Sequence, residues 1–282
     1  MAGISAAAVK SLREKTGLPM MECKKALTEA GGDEDGAIRW LRENGAAIAS
    51  KRQDRVTEFG RFGVYADVAK GVGAMVELKC ESASVVQLDD FIALADDMAK
   101  VLAEGPGAAT AEDLLAQPST IKPGQTLGEV RDDLFNRVRE VFNVGRMIRI
   151  DGAAGGYSHN STTVAGVLIE VEGGDNETAK DISMHIAAMR PSALTVEELD
   201  PKVVENERSI LTEAARNEGK PEKIIEKMVE GRLRNFYAES VLLEQPFVKD
   251  DKQSVGGYAK SKGMTIKRFI HWSLGEDASA EG

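Results

Sequence analysis

The chain of 282 residues has 46 acidic and 36 basic residues, a formal net charge of −10, and 42% hydrophobic residues. This is the composition of an ordinary globular protein, and the length favours two or three structural units over a single core. The acidic balance argues against broad binding to nucleic acid, which needs many cations facing phosphates.

The first 45 residues predict three short helices. Ser5 can cap the first helix, which ends at Gly17, and Pro19 suits the start of the second. The second helix ends at Gly31-Gly32, and the acidic run 33–35 favours a third helix directly after it. Three helices of this length make only a small core. The unit resembles a ubiquitin-associated-type bundle.

The period of the apolar residues changes after the polar stretch 50–58. Apolar residues over 62–68 and 75–78 flank Gly71-Val72-Gly73, which predicts a β-hairpin. The elements predicted next are a helix over 91–102, a loop with a short helix over 104–125, a helix over 127–142 and a strand over 147–150.

The following part of the chain repeats the order strand, strand, helix. Residues 154–158 and 163–172 predict a second hairpin, and Pro191 stops a helix over 177–189. The repeat favours an α+β fold with two related subdomains over alternating βαβ units.

The strongest helical signal lies over 200–242. Gly219-Lys220-Pro221 divides this segment into two helices, which must run antiparallel as a hairpin because the connection is so short. The spacing of apolar residues places Arg232 inside the apolar stripe of the second helix, where a salt bridge or packing of its aliphatic stem is as much expected as a functional role. A strand over 266–274 and a disordered acidic tail over 275–282 complete the prediction.

The rare residue types argue against several kinds of site. Cys23 and Cys80 are the only cysteines and form no Cys-x-x-Cys pair, and the histidines His159, His185 and His271 are far apart in sequence. We therefore expect no disulfide scaffold, no structural metal and no cofactor. The N-terminus lacks a signal-peptide core and no stretch approaches 18 apolar residues, so we expect a cytoplasmic protein without a membrane partner.

Several segments resemble, in the same order, those of the elongation factor Ts family. The N-terminal segment is LREKTGLPMMECKKALTEAGGD. The others are the strand around Met75–Cys80, YSHN at Tyr157–Asn160, MHIAAMRP at Met184–Pro191, GKPEKIIEKMVEGRLRNF at Gly219–Phe236 and QPFV at Gln245–Val248. Together they span nearly the whole chain, which makes the resemblance specific.

The resemblance implies a division of the α+β fold. Its parts are a three-helix ubiquitin-associated-like domain over 1–54, a core N-subdomain over 55–150, a core C-subdomain over 151–274 with a coiled-coil-like hairpin inserted at 200–242, and the tail over 275–282.

The resemblance also implies a function in translation. The expected partner is a protein, elongation factor Tu, and neither nucleic acid nor membrane. The chain would be a non-enzymatic factor that binds Tu·GDP, releases GDP with an indirect effect on its Mg²⁺, and frees Tu for GTP. A homodimer is left open.

The family places partner contacts near the N-terminus and in the second half of the chain. Arg13, Met20 and Met21, here called the methionine patch, would dock on a helix of the Tu G domain. The alternative is that Met20 or Met21 belongs to the core, since adjacent helical residues cannot point the same way. His159 and His185 would lie near the partner surface. The alternative for His185 is a boundary residue at the edge of a stripe that ends at Met189.

One contact segment departs from the family. After the second strand, relatives carry Asn-Cys-Gln/Glu-Thr-Asp-Phe-Val, whose Asp-Phe pair wedges between two Tu helices. Here Ala83 replaces the acid, Ser84 replaces the aromatic residue, and Glu81 keeps a charge two positions early. The residues expected to contact Tu in this finger segment are Glu81, Ser82, Ala83, Ser84 and Val85.

Three interpretations of this departure stay open. In the first, the chain exchanges nucleotide through its remaining contacts, with Val85, Val86 or Glu81 compensating. In the second, it holds Tu without efficient exchange. In the third, the three-helix domain binds a ubiquitin-like or peptide ligand and the rest of the chain is a scaffold. The first is favoured, and the third leaves the core motifs unexplained.

Overall fold

The computed structural model describes residues 4–52, 54–161 and 163–276, and these form a mixture of helices and strands. The helices are α1 (Ala6–Thr16), α2 (Met20–Glu29), α3 (Glu34–Ser50), α4 (Asp89–Glu104), α5 (Ala111–Leu115), α6 (Leu127–Val138), α7 (Asn176–Met189), α8 (Pro201–Asn217), α9 (Glu222–Ser240) and α10 (Val255–Ser261). The strands are β1 (Phe59–Asp67), β2 (Val72–Cys80), β3 (Asn143–Ile150), β4 (Ala154–Asn160), β5 (Val164–Gly173), β6 (Pro246–Phe247), β7 (Asp250–Ser254) and β8 (Met264–Ser273). From residue 277 on, the predicted disordered tail lies outside the described residues.

The described strands form three sheets, with orders β1-β2-β3, β4-β5-β8 and β6-β7. In the second sheet, β5 is central and pairs antiparallel with both neighbours. The chain divides into two compact units: unit 1 comprises Met1–Gly63, Val76–Ile148 and Leu274–Gly282, and unit 2 comprises Val64–Met75 and Arg149–Ser273. None of the helices that the structure describes is long and apolar enough to cross a membrane.

In unit 1, the first three helices form where they were predicted. The Ser5 side chain accepts a hydrogen bond from the N–H of Ala8, and Gly17 ends α1 in the left-handed conformation. Their small core is built on fully buried side chains that include Leu12, Cys23 and Leu27. Burying a leucine side chain contributes about 1.5–3 kcal/mol of stability, and this core contains few such side chains.

Helix α6 of unit 1 is shorter than predicted. It ends at Val138 rather than Phe142, because Arg139 takes a left-handed conformation with φ of 64° and caps the helix with its N–H. A residue with a Cβ rarely adopts this conformation, so the apolar pattern of Val141 and Phe142 suggested a helix that the backbone does not continue.

Unit 2 is organised around the β4-β5-β8 sheet, against which α7 packs. The close approach depends on Gly155 of β4, where a Cβ would lie 2.3 Å from the Ala179 side chain. Val167 and Ile169 of β5 and Ile182 of α7 are fully buried in the resulting core. Strands β6 and β7 and helix α10 were not predicted. All three are short, and Gly256-Gly257 in the first turn of α10 is unfavourable for a helix.

Helices α8 and α9 pack on each other through a cluster that includes Ala215, Val229 and Leu233. The prediction that Arg232 lies inside the apolar stripe was wrong. Leu233 is fully buried, whereas the Arg232 guanidinium donates to the Glu218 carboxylate 2.8 Å away at the helix surface. A step of four residues from Val229 reaches Leu233, and a step of three reaches Arg232 at the rim.

Candidate partner-binding surfaces

The methionine patch is an exposed surface of unit 1. Met20 is 52% exposed and Met21 is 72% exposed, so neither belongs to the core. The inward side of α2 is taken by Cys23, whose burial agrees with its interpretation as a small core residue. Arg13 is also exposed, and its guanidinium makes no hydrogen bond or ion pair with the part of the chain that the structure describes. These three side chains are free to meet a partner.

The finger segment follows β2 directly and forms a turn. The Val85 N–H donates to the Ser82 carbonyl at 3.3 Å, and one turn of 3-10 helix follows over Val85–Gln87. Ala83 and Ser84 are exposed at the turn. Val85 is buried, so it offers no apolar surface in place of the missing aromatic residue.

The finger segment is held by acidic and basic side chains that sequence analysis did not single out. Glu140 accepts hydrogen bonds from the Ser82 N–H at 3.0 Å and the Ser82 hydroxyl at 2.5 Å. Glu81 accepts from the Val141 N–H at 2.7 Å and pairs with Arg55 at 2.9 Å. Glu81 is therefore already engaged within the chain.

Val86, the residue directly after the finger segment, is held by a buried cation. Arg61 donates to the Val86 carbonyl at 3.2 Å from a largely buried position on β1. Burial lowers the pKa of the Arg61 guanidinium, and burial raises the pKa of the nearby Asp96 carboxyl. Each group partly opposes the shift of the other through its charge.

The thiol next to the finger segment is structural. Burial raises the pKa of Cys80 to about 12, so the thiol stays protonated at neutral pH. Its S–H donates to the Ser82 carbonyl at 3.3 Å. Cys80 thus helps to shape the turn and is not a nucleophile.

A second set of contacts joins the N-terminal helices to the residues after α6. The Arg139 guanidinium pairs with the Glu22 carboxylate of α2. The Arg139 carbonyl accepts a hydrogen bond from the Arg52 guanidinium at 2.8 Å. The side chains of Arg52 and Arg55 in the basic cluster 51–55 both have partners within the chain. A left-handed arginine leaves no signal in a sequence, so these contacts could not be predicted.

In unit 2, His185 is fully buried rather than at the edge of its stripe. Its Nδ1 accepts from the Val248 N–H at 3.1 Å, so Nε2–H must donate to the Gln245 side-chain oxygen at 2.9 Å. Burial lowers the pKa of His185 and keeps the ring neutral. Met189, predicted to end the stripe, is 44% exposed because it lies in the last turn before the left-handed Arg190. His185 therefore has no exposed surface of its own to offer a partner.

His159 is partly exposed on β4, opposite Ala165 of β5. Its Nδ1 lies 3.1 Å from the Tyr157 hydroxyl. Both rings line a surface cleft of about 470 Å³, and Val248 lines the same cleft. Val248 therefore bonds to the buried His185 through its N–H and also lines the cleft that contains His159.

No group of three or more His, Cys, Asp or Glu residues in the described ranges could hold a metal ion. What the chain presents is an exposed apolar and cationic patch, a polar turn and a shallow cleft. Such features suit binding to a macromolecule rather than turnover of a small substrate.

Comparisons with known proteins agree on one family. A family model described as elongation factor TS matches residues 81–276. Curated relatives named elongation factor Ts include those of Methylococcus capsulatus, 42% identical over 281 residues (99% of this chain and 94% of the relative), and Alkalilimnicola ehrlichii, 41% identical over 278 residues (97% and 92%). That of Hyphomonas neptunium is 42% identical over 288 residues, which are 98% of this chain and 93% of the relative. The chain belongs to the elongation factor Ts family.

Proposed function

We propose that this chain binds elongation factor Tu·GDP and promotes release of GDP, so that Tu can bind GTP in translation elongation. Its family membership, which extends over nearly the whole chain, carries the proposal. Exchange makes and breaks no covalent bond, so the factor is not an enzyme in the usual sense. It needs surfaces that bind one state of the partner more tightly than another.

The thermodynamics of exchange follow from reciprocity. If this chain binds nucleotide-free Tu more tightly than Tu·GDP, its binding weakens the affinity of Tu for GDP by the same ratio. Each tenfold change in affinity corresponds to about 1.4 kcal/mol. The effect on the Mg²⁺ of Tu would be indirect, since it would follow from displacement of Tu's own groups.

The proposal assigns roles to the predicted regions. A three-helix domain over 1–54 presents the methionine patch to the Tu G domain, and the core carries the finger segment and His159. The core consists of subdomains over 55–150 and 151–274, with the hairpin at 200–242 protruding from the second. The exposure of Arg13, Met20 and Met21 supports the first assignment. His185 would act by supporting Val248 and not by touching Tu. Cytoplasmic location and a homodimer stay predictions.

A second candidate is a partner that holds Tu without efficient exchange. The observation that favours it is the exposed Ala83-Ser84 pair, which provides neither a carboxylate nor an aromatic wedge. A peptide-binding scaffold, by contrast, would leave the family's core motifs without a purpose.

Two measurements on the full chain and Tu separate these functions. Titration calorimetry should give a 1:1 complex whose affinity falls in excess GDP, and equal affinity with and without GDP would contradict exchange. Stopped-flow release of a fluorescent GDP analogue should then accelerate as the factor is added. Tight binding to Tu without faster GDP release would identify a holding partner. The absence of binding to Tu would favour the peptide-binding scaffold.

A further inference from the structure

The residues that join α6 to β3 contact the finger segment and also Glu22, the residue next to the methionine patch. We call Arg139, Glu140 and Val141 the junction segment. Its first residue has a left-handed backbone, which is unfavourable for any residue with a Cβ and persists only where surrounding contacts hold it. The contacts that hold it point in two directions.

Toward the N-terminal helices, the junction segment is fixed by its first residue. The Arg139 guanidinium pairs with Glu22, the neighbour of Met21 on α2. The Arg139 carbonyl accepts from Arg52, which lies just after α3. A displacement of α2 therefore acts on Arg139 through an ion pair only one residue from the methionine patch.

Toward the finger segment, the junction segment is fixed by its next two residues. Glu140 accepts two hydrogen bonds from Ser82, and the Val141 N–H donates to Glu81. The Ser82 hydroxyl also lies 3.1 Å from that of Ser84 at the exposed turn. Hydrogen bonds to a carboxylate are short and directional, so Glu140 fixes the position of this turn.

We propose that the junction segment couples the methionine patch to the finger segment, with Arg139 and Glu140 as positioning residues for nucleotide release. Three consecutive residues cannot move independently, so docking of α2 on a partner is transmitted to the finger segment. Binding at the patch can then contribute to displacing groups of Tu at a distance from it. The inference rests on the proposed function, and its last test does not need Tu.

The kinetic test uses Glu140→Ala, with Arg131→Ala as the control. Arg131 lies on α6 of unit 1 and pairs with Asp132, but neither side chain bonds to α2 or to the finger segment. Glu140→Ala should lower the maximal rate of GDP release about fivefold or more, because small misplacements of a positioned group are costly. The half-saturating concentration should change less than about twofold, because Glu140 does not itself dock on Tu. An unchanged maximal rate, or a loss confined to the half-saturating concentration, would overturn the proposal.

A charge exchange tests the link to α2. Glu22→Arg and Arg139→Glu should each lower the maximal rate about two- to threefold, since a partly exposed ion pair is weak. The double variant should recover most of the rate, because the pair is rebuilt in reverse. Losses that simply multiply in the double variant would show that the two residues act independently.

Hydrogen exchange in the free chain separates this inference from the proposed function. Arg139→Gly keeps the left-handed backbone and loses only the side chain that pairs with Glu22. Protection of the amides over 82–85 should fall in this variant, while protection within α4 stays unchanged. Unchanged protection over 82–85 would overturn the coupling even if the chain releases GDP from Tu. If the natural chain fails to accelerate GDP release while protection falls as expected, the proposed function fails and the mechanical link survives.

Discussion

The methionine patch and the finger segment are both expected to meet Tu, yet they present opposite kinds of surface. In the patch, Met20, Met21 and Arg13 are exposed and make no side-chain bonds to the described chain. In the finger segment, Glu81 and Ser82 are bound to other parts of unit 1 and Val85 is buried. The exposed residues Ala83 and Ser84 have only small side chains.

This difference indicates how the work is divided. A flexible apolar surface adapts to a partner and contributes binding energy, whereas a turn held by several hydrogen bonds contributes position. The patch should therefore determine affinity and the finger segment should determine the rate of nucleotide release. Variants of each region test that division.

The patch should carry most of the affinity. Replacing Arg13 and Met20 by Ala together should weaken binding to Tu by about 2 kcal/mol or more, roughly thirtyfold in Kd, as anchor residues often do. The thermal midpoint should hardly change, because both side chains are exposed. Calorimetry and thermal unfolding measure the two quantities.

Lys24→Ala on the same helix is the matched control, since Lys24 is exposed but lies outside the patch. A large loss of stability with unchanged affinity in the double variant would show that the patch serves folding, and the division of roles would not hold.

The finger segment should respond in rate rather than affinity. Ala83→Asp with Ser84→Phe should raise the rate of GDP release at saturating factor several-fold. An aromatic wedge gains about 25 cal/mol for each Å² of apolar area that it buries, and this gain offsets the cost of displacing helices of Tu. Binding to Tu should change only modestly. Stopped-flow release of a fluorescent GDP analogue measures the rate.

Ala83→Asn with Ser84→Phe separates the carboxylate from the ring. It should retain the part of the gain that comes from apolar burial and lose the part that needs a charge near the metal site of Tu. If the restored Asp-Phe pair is no faster than the natural sequence, the turn does not limit exchange in this chain.

The sequence was sufficient for the regions where a pattern is local. Caps and glycines located the ends of α1 and α2, and the two predicted hairpins located β1, β2, β4 and β5. The burial of Cys23, Ala26 and Leu27 follows from helical spacing once α2 is placed. The exposure of Met20 does not follow from it, because a residue three positions before Cys23 lies on the same side of the helix. The resemblance supplied the partner and the contact residues, which no periodicity could have given.

The sequence was insufficient where a residue's role depends on distant chain. Glu140 lies in a stretch that looked like the end of a helix, and its partner Ser82 is 58 residues away. His185 was placed at the edge of its stripe because one helix was considered alone. Its polar partners Gln245 and Val248 come from a segment 60 or more residues further on, and they make full burial of the ring acceptable. Polar contacts over such separations leave no local pattern.

His185 provides the smallest predicted effect and extends the comparison to unit 2. Like the finger segment, this ring is fully engaged by its own chain, so its replacement should affect stability more than binding. Burial lowers the pKa of His185 in the folded chain below its ordinary value of 6.5. Below that value the unfolded chain takes up a proton that the folded chain does not. The ring's contribution to stability is therefore present above about pH 6.5 and is lost as pH falls toward the folded-state pKa.

His185→Gln removes this titration. The variant should be less stable than the natural chain at about pH 7.5, because glutamine cannot reproduce both ring hydrogen bonds, but the difference should narrow at about pH 5.5. Urea unfolding at both pH values measures it, and His159→Gln controls for the loss of a histidine in general. A difference that stays constant or widens toward low pH would mean that His185 accepts a proton in the folded chain. The ring would then be open to solvent, and direct contact of His185 with Tu would again be the better interpretation.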